Sequence, residues 1–474
     1  MEKEKLFITT TLPYPNDPKG GHVGHLFEFI LADIFARFHK ETKDVIFNVG
    51  LDEHGSKIAD KAKELNKTPI EYLDSVTEVW KKLCLDMNIS YDIFYRTSSK
   101  EHTDSVKIIW DFLLKQGDIY KKQYKGLYCK GCESYKVEKD LIDGKCIEHP
   151  LPGFISEISE ENYFFKLSKY AIQLKDKLSA NFLVPKYKDI ELNNLIDETG
   201  DISISRLKEG NEWNIEVPND PNQVIYVWFS ALLNYIFAAD YYTNNSHWEK
   251  VIQLCGPDNL RFQAIIFQSI LIALNIKCSD NLLVHGTILD SEGKKMSKTL
   301  GNTIDPNVQI EKYGINAVRY YCVVLNTYTN SNWNEIELVN KFNSDICNDW
   351  GNFVSRVLHL CETKADTKEL NNIDPFLYTD VNKLFREIEA DLENFKIKEA
   401  YKKVNELVKL GNNIINSNKT WTLEGDKLHS SLTELLYIIY SANLFYKFIF
   451  PKEYELIEEG LKNYKKVIAF KKIK

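Results

Sequence analysis

His22-Val23-Gly24-His25 sets two imidazoles on either side of a glycine, after a loop rich in Pro and Gly and where a helix opens. A helix N-terminus carries unpaired N–H groups and the positive end of the dipole, which suits an anion. Two imidazoles there can hydrogen-bond phosphate oxygens, and Gly24 lets a ligand approach the backbone. Read alone, the tetrapeptide is also what two histidines at any turn look like. The second group is Lys294-Lys295-Met296-Ser297-Lys298-Thr299-Leu300-Gly301-Asn302. Lysines beside small hydroxyl residues in a loop make a polyphosphate clamp, since ammonium groups meet the charge that develops on a departing phosphate. Read alone, it is a solvated charge run. The third group is Cys129-Lys130-Gly131-Cys132 followed by Cys146-Ile147-Glu148-His149. Two hooks with two intervening residues each suit tetrahedral Zn²⁺, and four protein ligands (Cys129, Cys132, Cys146, His149) close the site, so the metal is structural. Glu148 beside His149 competes for the fourth position.

The elements that must hold these groups follow from periodicity. Leu6 to Thr10 reads as a buried strand, which Pro13, Pro15, Pro18, Gly20 and Gly21 break into a loop. Leu26, Phe27, Phe29, Ile30, Ile34, Phe35 and Phe38 then recur at helical spacing, and Val45 to Val49 is a second apolar run. Strand, helix, strand, helix predicts a parallel α/β sheet. The pattern breaks near residue 120, where Cys, Gly and Lys cluster, and resumes around Val224 to Tyr226 and Val284 to Leu289. Past 340 the strands stop. Val381, Leu384, Phe385, Ile388, Leu392 and Phe395, then Leu432, Leu435, Leu436, Ile439, Leu444 and Phe448, predict a helical bundle. The expected boundaries are 1–119 and 226–340 for two halves of one α/β domain, 120–225 for an insertion with a zinc knuckle, and 341–474 for the bundle.

The chain has 474 residues, 44% of them apolar, with 60 Lys and Arg against 68 Asp and Glu and a net charge of −8. That is globular composition, long enough for several domains, and it excludes a generally basic nucleic-acid coat; RNA binding needs a local basic face. No apolar run is long enough to span a membrane, no signal peptide precedes the first strand, and nine scattered cysteines make no disulfide framework. A reducing cytoplasmic location is expected.

Taken together, the HVGH and KMSKT segments, both within an α/β domain, resemble the two signature motifs of class I aminoacyl-tRNA synthetases. Thr9-Thr10-Thr11-Leu12-Pro13-Tyr14, Gly50-Leu51-Asp52-Glu53-His54-Gly55, Asp201-Ile202-Ser203-Ile204-Ser205-Arg206, Tyr226-Val227-Trp228-Phe229 and Phe342-Asn343-Ser344-Asp345 are similar, in order and over nearly the whole chain, to the methionyl-tRNA synthetase family. The resemblance implies an α/β fold: a Rossmann-like parallel-sheet catalytic domain with a zinc-knuckle insertion, followed by an α-helical anticodon-binding bundle. It implies an ATP-dependent ligase that joins methionine to ATP, with Mg²⁺, as methionyl-adenylate and passes the acyl group to tRNA(Met). His22, Gly24 and His25, with Gly256 and Asp258, then contact ATP, and Lys298 with Lys295 stabilises the transition state. Asp52 holds the substrate ammonium. Leu12, Tyr14, Trp228, Ala231 and Tyr235, with Gln263 and Phe267, line the amino-acid pocket, where a thioether finds dispersion, aromatic contact and a weak hydrogen bond.

The chain departs from the family pattern in one place. Ser230 stands for an Asp, Gln263 for a His, Phe267 for a Trp and Pro257 for a Lys, and the loop between Tyr14 and His22 is longer. Competing readings are a paralogue that activates another amino acid and a non-catalytic RNA-binding relative; two intact phosphate motifs count against the second. At the bundle, Asn348 or Asn352 matches the family's anticodon-reading Asn, and Trp421 matches a Trp that stacks on an unpaired base, with a buried cap as the alternative for Trp421. With no further C-terminal domain in the sequence, a monomer is expected.

Overall fold

The structure is a computed structural model that describes residues 3–131, 134–136, 141–147, 152–178, 181–243, 245–297, 301–366, 370 and 379–473. Its centre is β1 (Lys5–Thr9), whose residues Leu6 to Thr9 are fully buried. A short strand with no polar face must be covered on both sides, which is the environment of a parallel sheet. β1 pairs in parallel with β2 (Asp44–Leu51) on one side and with the strand Lys250–Cys255 on the other. β2 continues to β3 (Ile93–Arg96), and Lys250–Cys255 continues to Asn281–Val284 and then Leu183–Val184. The order therefore reverses beside β1, and the carboxyl ends of β1 and Lys250–Cys255 diverge to leave a crevice at this switch point.

Helix α1 (Val23–Lys40) returns from β1 across the sheet. Its apolar residues Leu26, Phe27, Ile30, Ile34 and Phe35 are buried, and so are two acids on it, Glu28 and Asp33. The insertion is built on β4 (Ile119–Cys129), paired antiparallel along its length with Ile155–Phe165. A second small antiparallel sheet joins Ser205–Leu207, Asp220–Ile225 and Glu216–Val217. Two sequence expectations change. Val224 to Tyr226 belongs to this antiparallel sheet rather than to the parallel one, and Leu183–Val184, inside 120–225, is the edge strand of the catalytic sheet.

The C-terminal helices include Asn352–Lys364, Thr379–Glu393, Ile397–Ser417, Gly425–Tyr446 and Pro451–Asn463. One apolar core runs without a break from β1 and α1 into Leu435, Ile439 and Phe445. At that seam Arg319, fully buried, donates to Asp33 (2.6 Å) and to the carbonyls of Ile449 (2.8 Å), Met87 (2.9 Å) and Phe448 (2.9 Å). Among the described residues, no helix is long and apolar enough to cross a membrane.

Candidate active site

The crevice at the carboxyl ends of the sheet is a cleft of about 920 Å³. His22, Gly24 and His25 line it at the start of α1. The Gly24 N–H donates to His22 Nδ1 (3.0 Å), and the His22 N–H donates to His25 Nδ1 (3.2 Å), so the two side chains cap the helix reciprocally. The rings stack at 4.1 Å. An Nδ1 that accepts a backbone N–H is unprotonated, so the neutral ring carries its proton on Nε2. Both imidazoles are thereby set as donors through the nitrogens the cap does not use. A Cβ on Gly24 would lie 2.8 Å from the His22 ring, so only glycine fits between them.

Lys295 and Met296, the start of the KMSKT segment, also line the cleft. Its base is fixed: the Asn302 side chain accepts from the Ser297 N–H (2.9 Å) and donates to Asp290 (2.8 Å), and Met296 is buried. Lys295 reaches across to Asp258 at 2.6 Å, with both side chains half exposed. Two residues assigned to ATP thus meet each other in the structure. Lys298 lies outside the described residues.

At the other end of the cleft stand Leu12, Tyr14, Asp52 and Trp228, and Gly256, Pro257 and Asp258 follow from the strand Lys250–Cys255. Asp52 is buried, its N–H bonded to the Pro13 carbonyl (3.0 Å), so the loops after β1 and β2 are joined there. Next to it, burial holds the His54 imidazole down at about 4, and it stays neutral. Trp228 stacks on Phe262 at 4.0 Å and 16°. Ala231, Tyr235, Gln263 and Phe267, expected at the pocket wall, are buried next to this aromatic pair. In the π-helical segment Phe262–Phe267, Phe262 and Ile266 line the cleft while Gln263 and Phe267 are buried. Ser230, also buried, spends its hydroxyl on the Val227 carbonyl (3.0 Å).

Three cleft residues escape sequence reasoning. Glu28 accepts the Thr11 N–H (2.6 Å) and hydroxyl (2.7 Å) on one oxygen and faces His285 Nε2 (2.9 Å) with the other. His285 Nδ1 faces the Gly286 carbonyl (2.8 Å), which requires a proton there and a second one between His285 and Glu28. An acid within the apolar stripe of α1 is the signal that points to Glu28. Arg206 lines the cleft with its guanidinium against Tyr226 (4.1 Å), Tyr135 (5.0 Å) and Tyr128 (5.6 Å). Its buried Nε meets no acceptor among the described residues. A desolvated cation at the cleft suits an anionic group.

The cysteine cluster is described in part. Cys129, at the end of β4, and Cys146, in the hairpin Leu141–Ile142/Lys145–Cys146, are both buried. The hairpin turns on Asp143 and Gly144, both at positive φ. Two buried thiols at the ends of short strands fit a soft metal ion. Cys132 and His149 lie outside the described residues, and among the described residues no three metal-ligating side chains gather. The segment after Cys129 touches the catalytic domain through Lys57, whose ammonium donates to the Gly131 carbonyl and sits 5.9 Å from the Tyr14 ring.

At the bundle, Asn348 and Asn352 are exposed one helical turn apart. Trp421 is 41% exposed, which excludes a buried cap. The Arg356 guanidinium lies 5.7 Å from its ring, a neighbour that sequence reasoning did not single out.

Comparison with known proteins agrees with this geometry. A family model described as tRNA synthetases class I (M) matches residues 6–150 and 137–358. The methionine–tRNA ligase of Caldanaerobacter subterraneus subsp. tengcongensis is 36% identical over 440 residues, 90% of this chain and 68% of its own length. That of Ureaplasma parvum is 33% identical over 463 residues, 92% of this chain and 87% of its own. The fold matches Mycobacterium tuberculosis methionyl-tRNA synthetase in complex with methionyl-adenylate with a TM-score of 0.87 at 26% identity, over 96% of this chain and 93% of that one.

Proposed function

The chain belongs to the class I aminoacyl-tRNA synthetases of the methionyl type, and from that premise we propose how its own residues divide the work. The enzyme activates methionine with ATP to methionyl-adenylate, releasing pyrophosphate, and then charges tRNA(Met). One observation supports the assignment of roles: His22, Gly24, His25, Lys295, Asp52 and Trp228 line a single cleft at the switch point of the sheet. His22 and His25 donate from Nε2 to phosphate oxygens, helped by the N-terminal dipole of α1. Lys295 and Lys298 take up the charge that grows on the departing pyrophosphate as the methionine carboxylate attacks the α-phosphorus. Lys295 must first leave Asp258, which frees Asp258 and Gly256 for the nucleoside. ATP brings Mg²⁺ with it as the counter-ion of its phosphates. Asp52 pairs with the ammonium, and Leu12, Tyr14 and Trp228 enclose the side chain, with Ala231, Tyr235, Gln263 and Phe267 closing it from behind. ATP–pyrophosphate exchange across the twenty amino acids tests this: methionine should exceed all others, and faster exchange with leucine, isoleucine or a polar amino acid would remove the methionine assignment of the pocket.

The same proposal covers the finer parts. Residues 1–119 and 226–340, with the edge strand Leu183–Val184, make the catalytic domain, the rest of 120–225 the insertion and 341–474 the anticodon-binding bundle. Cys129, Cys132, Cys146 and His149 hold a structural Zn²⁺. One Zn²⁺ per chain should co-purify and Cys129→Ser should release it, as read by elemental analysis; a folded, active, metal-free protein would contradict the assignment. Asn348, Asn352 and Trp421 read the anticodon. Trp421→Ala should weaken tRNA(Met) by about 1–3 kcal/mol, seen as a raised KM for tRNA with pyrophosphate exchange unchanged. A monomer in the cytoplasm completes the reading, and analytical ultracentrifugation checks the first of these.

A further inference from the structure

Beyond β2 the backbone leaves the sheet, and its polar groups need partners other than the strand ladder. The stretch from Asp52 to Gly55 finds them one by one. The Asp52 N–H donates to the Pro13 carbonyl (3.0 Å), and the Glu53 N–H donates to Thr97 Oγ1 (2.8 Å). The Glu53 carbonyl accepts from Trp213 Nε1 (2.6 Å), and the Gly55 N–H donates to Asn214 Oδ1 (2.6 Å). The Glu53 carboxylate is held as well, by Arg96 Nε (2.9 Å) and the Thr77 hydroxyl (3.1 Å). Asp52, Glu53, His54 and Asn214 are all buried.

Two of these partners belong to the insertion. Trp213 and Asn214 are neighbours in the chain, between the strands Ser205–Leu207 and Glu216–Val217. An indole N–H only donates and a backbone carbonyl only accepts, so the Trp213 bond has one direction. A backbone N–H only donates, so Asn214 must present its amide oxygen to Gly55. One donor and one acceptor, side by side, thus bracket His54, whose ring lies 5.9 Å from that of Trp213. Gly55 has φ +109°, a conformation that a residue with a Cβ rarely adopts, where the chain turns into the helix Ser56–Glu64. The Asn214 bond holds it there. The peptide that follows Asp52 is therefore fixed from the insertion.

We propose that Trp213 and Asn214 are positioning residues for amino-acid binding, which hold the backbone after β2 so that the Asp52 carboxylate meets the substrate ammonium. This rests on the reading of Asp52 as the partner of the ammonium. The ammonium keeps its charge while the carboxylate reacts, so its ion pair stabilises the ground state and the transition state alike. A loosened Asp52 should then raise KM for methionine and leave kcat as it is.

Pyrophosphate exchange with methionine, inhibited by 4-methylthiobutanoate, tests it; the inhibitor is methionine without its amino group. Trp213→Phe keeps a ring and removes the indole donor, and Asn214→Leu keeps the volume and removes the acceptor. Each should raise KM for methionine about three- to tenfold, with kcat and the inhibition constant of 4-methylthiobutanoate kept within about twofold. Asp52→Asn should also weaken methionine and spare the inhibitor, and in that background Asn214→Leu should add nothing further. If Asp52→Asn weakens methionine selectively and neither insertion variant does, the positioning role is overturned and the ammonium site stands. If Asp52→Asn leaves the preference for methionine over the inhibitor unchanged, Asp52 is not the ammonium's partner, and the proposal falls with that reading. Equal losses for both ligands, or a fall in kcat, in the insertion variants mark a merely structural role and also overturn it. Should Asn214→Leu not fold, Trp213→Phe takes its place in the Asp52→Asn background, and the result is read in the same way.

Discussion

Lys298→Ala should slow methionyl-adenylate formation by about 10²–10³-fold, the cost of one preorganised donor at a site of developing charge. The loop that carries it is anchored on both flanks by Asn302, which holds Ser297 and Asp290, and by buried Met296. Loss of the ammonium should therefore remove a charge without displacing the loop. Binding of methionine, proposed at Asp52 and Trp228, should change little. Lys295→Ala should behave differently. Lys295 already has a partner in Asp258, so part of what it gives the transition state is offset by the ion pair it must break. Its removal should lower the rate by less. Single-turnover adenylate formation with separate titration of methionine distinguishes the two, and parent-like rates in Lys298→Ala would show that this loop is not the clamp.

Arg319→Met should destabilise the fold by about 3–5 kcal/mol, because it takes the buried cation from a fully buried carboxylate and leaves only the partly exposed Arg37 to balance it. Asp33 is fully buried on α1 and accepts Arg319 (2.6 Å), Arg37 (2.8 Å) and the Ser90 N–H and hydroxyl (2.7 Å each). Burial acts to raise its pKa, but Arg319 and Arg37 outweigh it and hold the carboxyl below its ordinary value of 3.8. The sign follows: a depressed folded-state pKa contributes stability that is whole above the ordinary value and is lost as the pH falls through the folded one. Urea unfolding of parent and variant should therefore differ most near neutral pH and converge below 3.8. Arg319 also bonds Ile449 and Phe448 in the bundle and Met87 beside the sheet, so the variant's bundle should loosen from the catalytic domain. A midpoint equal to the parent's would show that the seam is held by apolar packing alone.

The phosphate end of the site is legible in the sequence because its chemistry is local. HVGH caps the helix it opens, and KMSKT forms one loop. Glu28 and His285 are not legible as a pair, since nothing in either segment shows that the second turn of α1 and the residue after Asn281–Val284 meet over the cleft. Arg206 is in the same position: Tyr128 and Tyr135 come from two strands and Tyr226 from the start of a helix. Leu183–Val184 is too short for any period to show, and its place comes from parallel pairing with a strand far along the chain. The depth of the pocket residues is less legible. Resemblance brings Tyr235, Gln263 and Phe267 to the right region, but which side of the Trp228–Phe262 stack they occupy depends on the π-turn of Phe262–Phe267.

The reciprocal cap at the start of α1 ties two selective pressures to the same two rings. Each imidazole serves the fold through Nδ1 and the phosphate through Nε2, so no substitution can be neutral for one role by default. A protein under selection only to stay folded would accept Asn, Ser or Asp at position 22, where small polar side chains cap helices well. A protein under selection to activate an amino acid needs a side chain that accepts at one atom and donates at another some distance away across a rigid plane, which among the common residues describes histidine. On the proposed roles, it is the second, donating atom and not the helix cap that calls for imidazoles at 22 and 25.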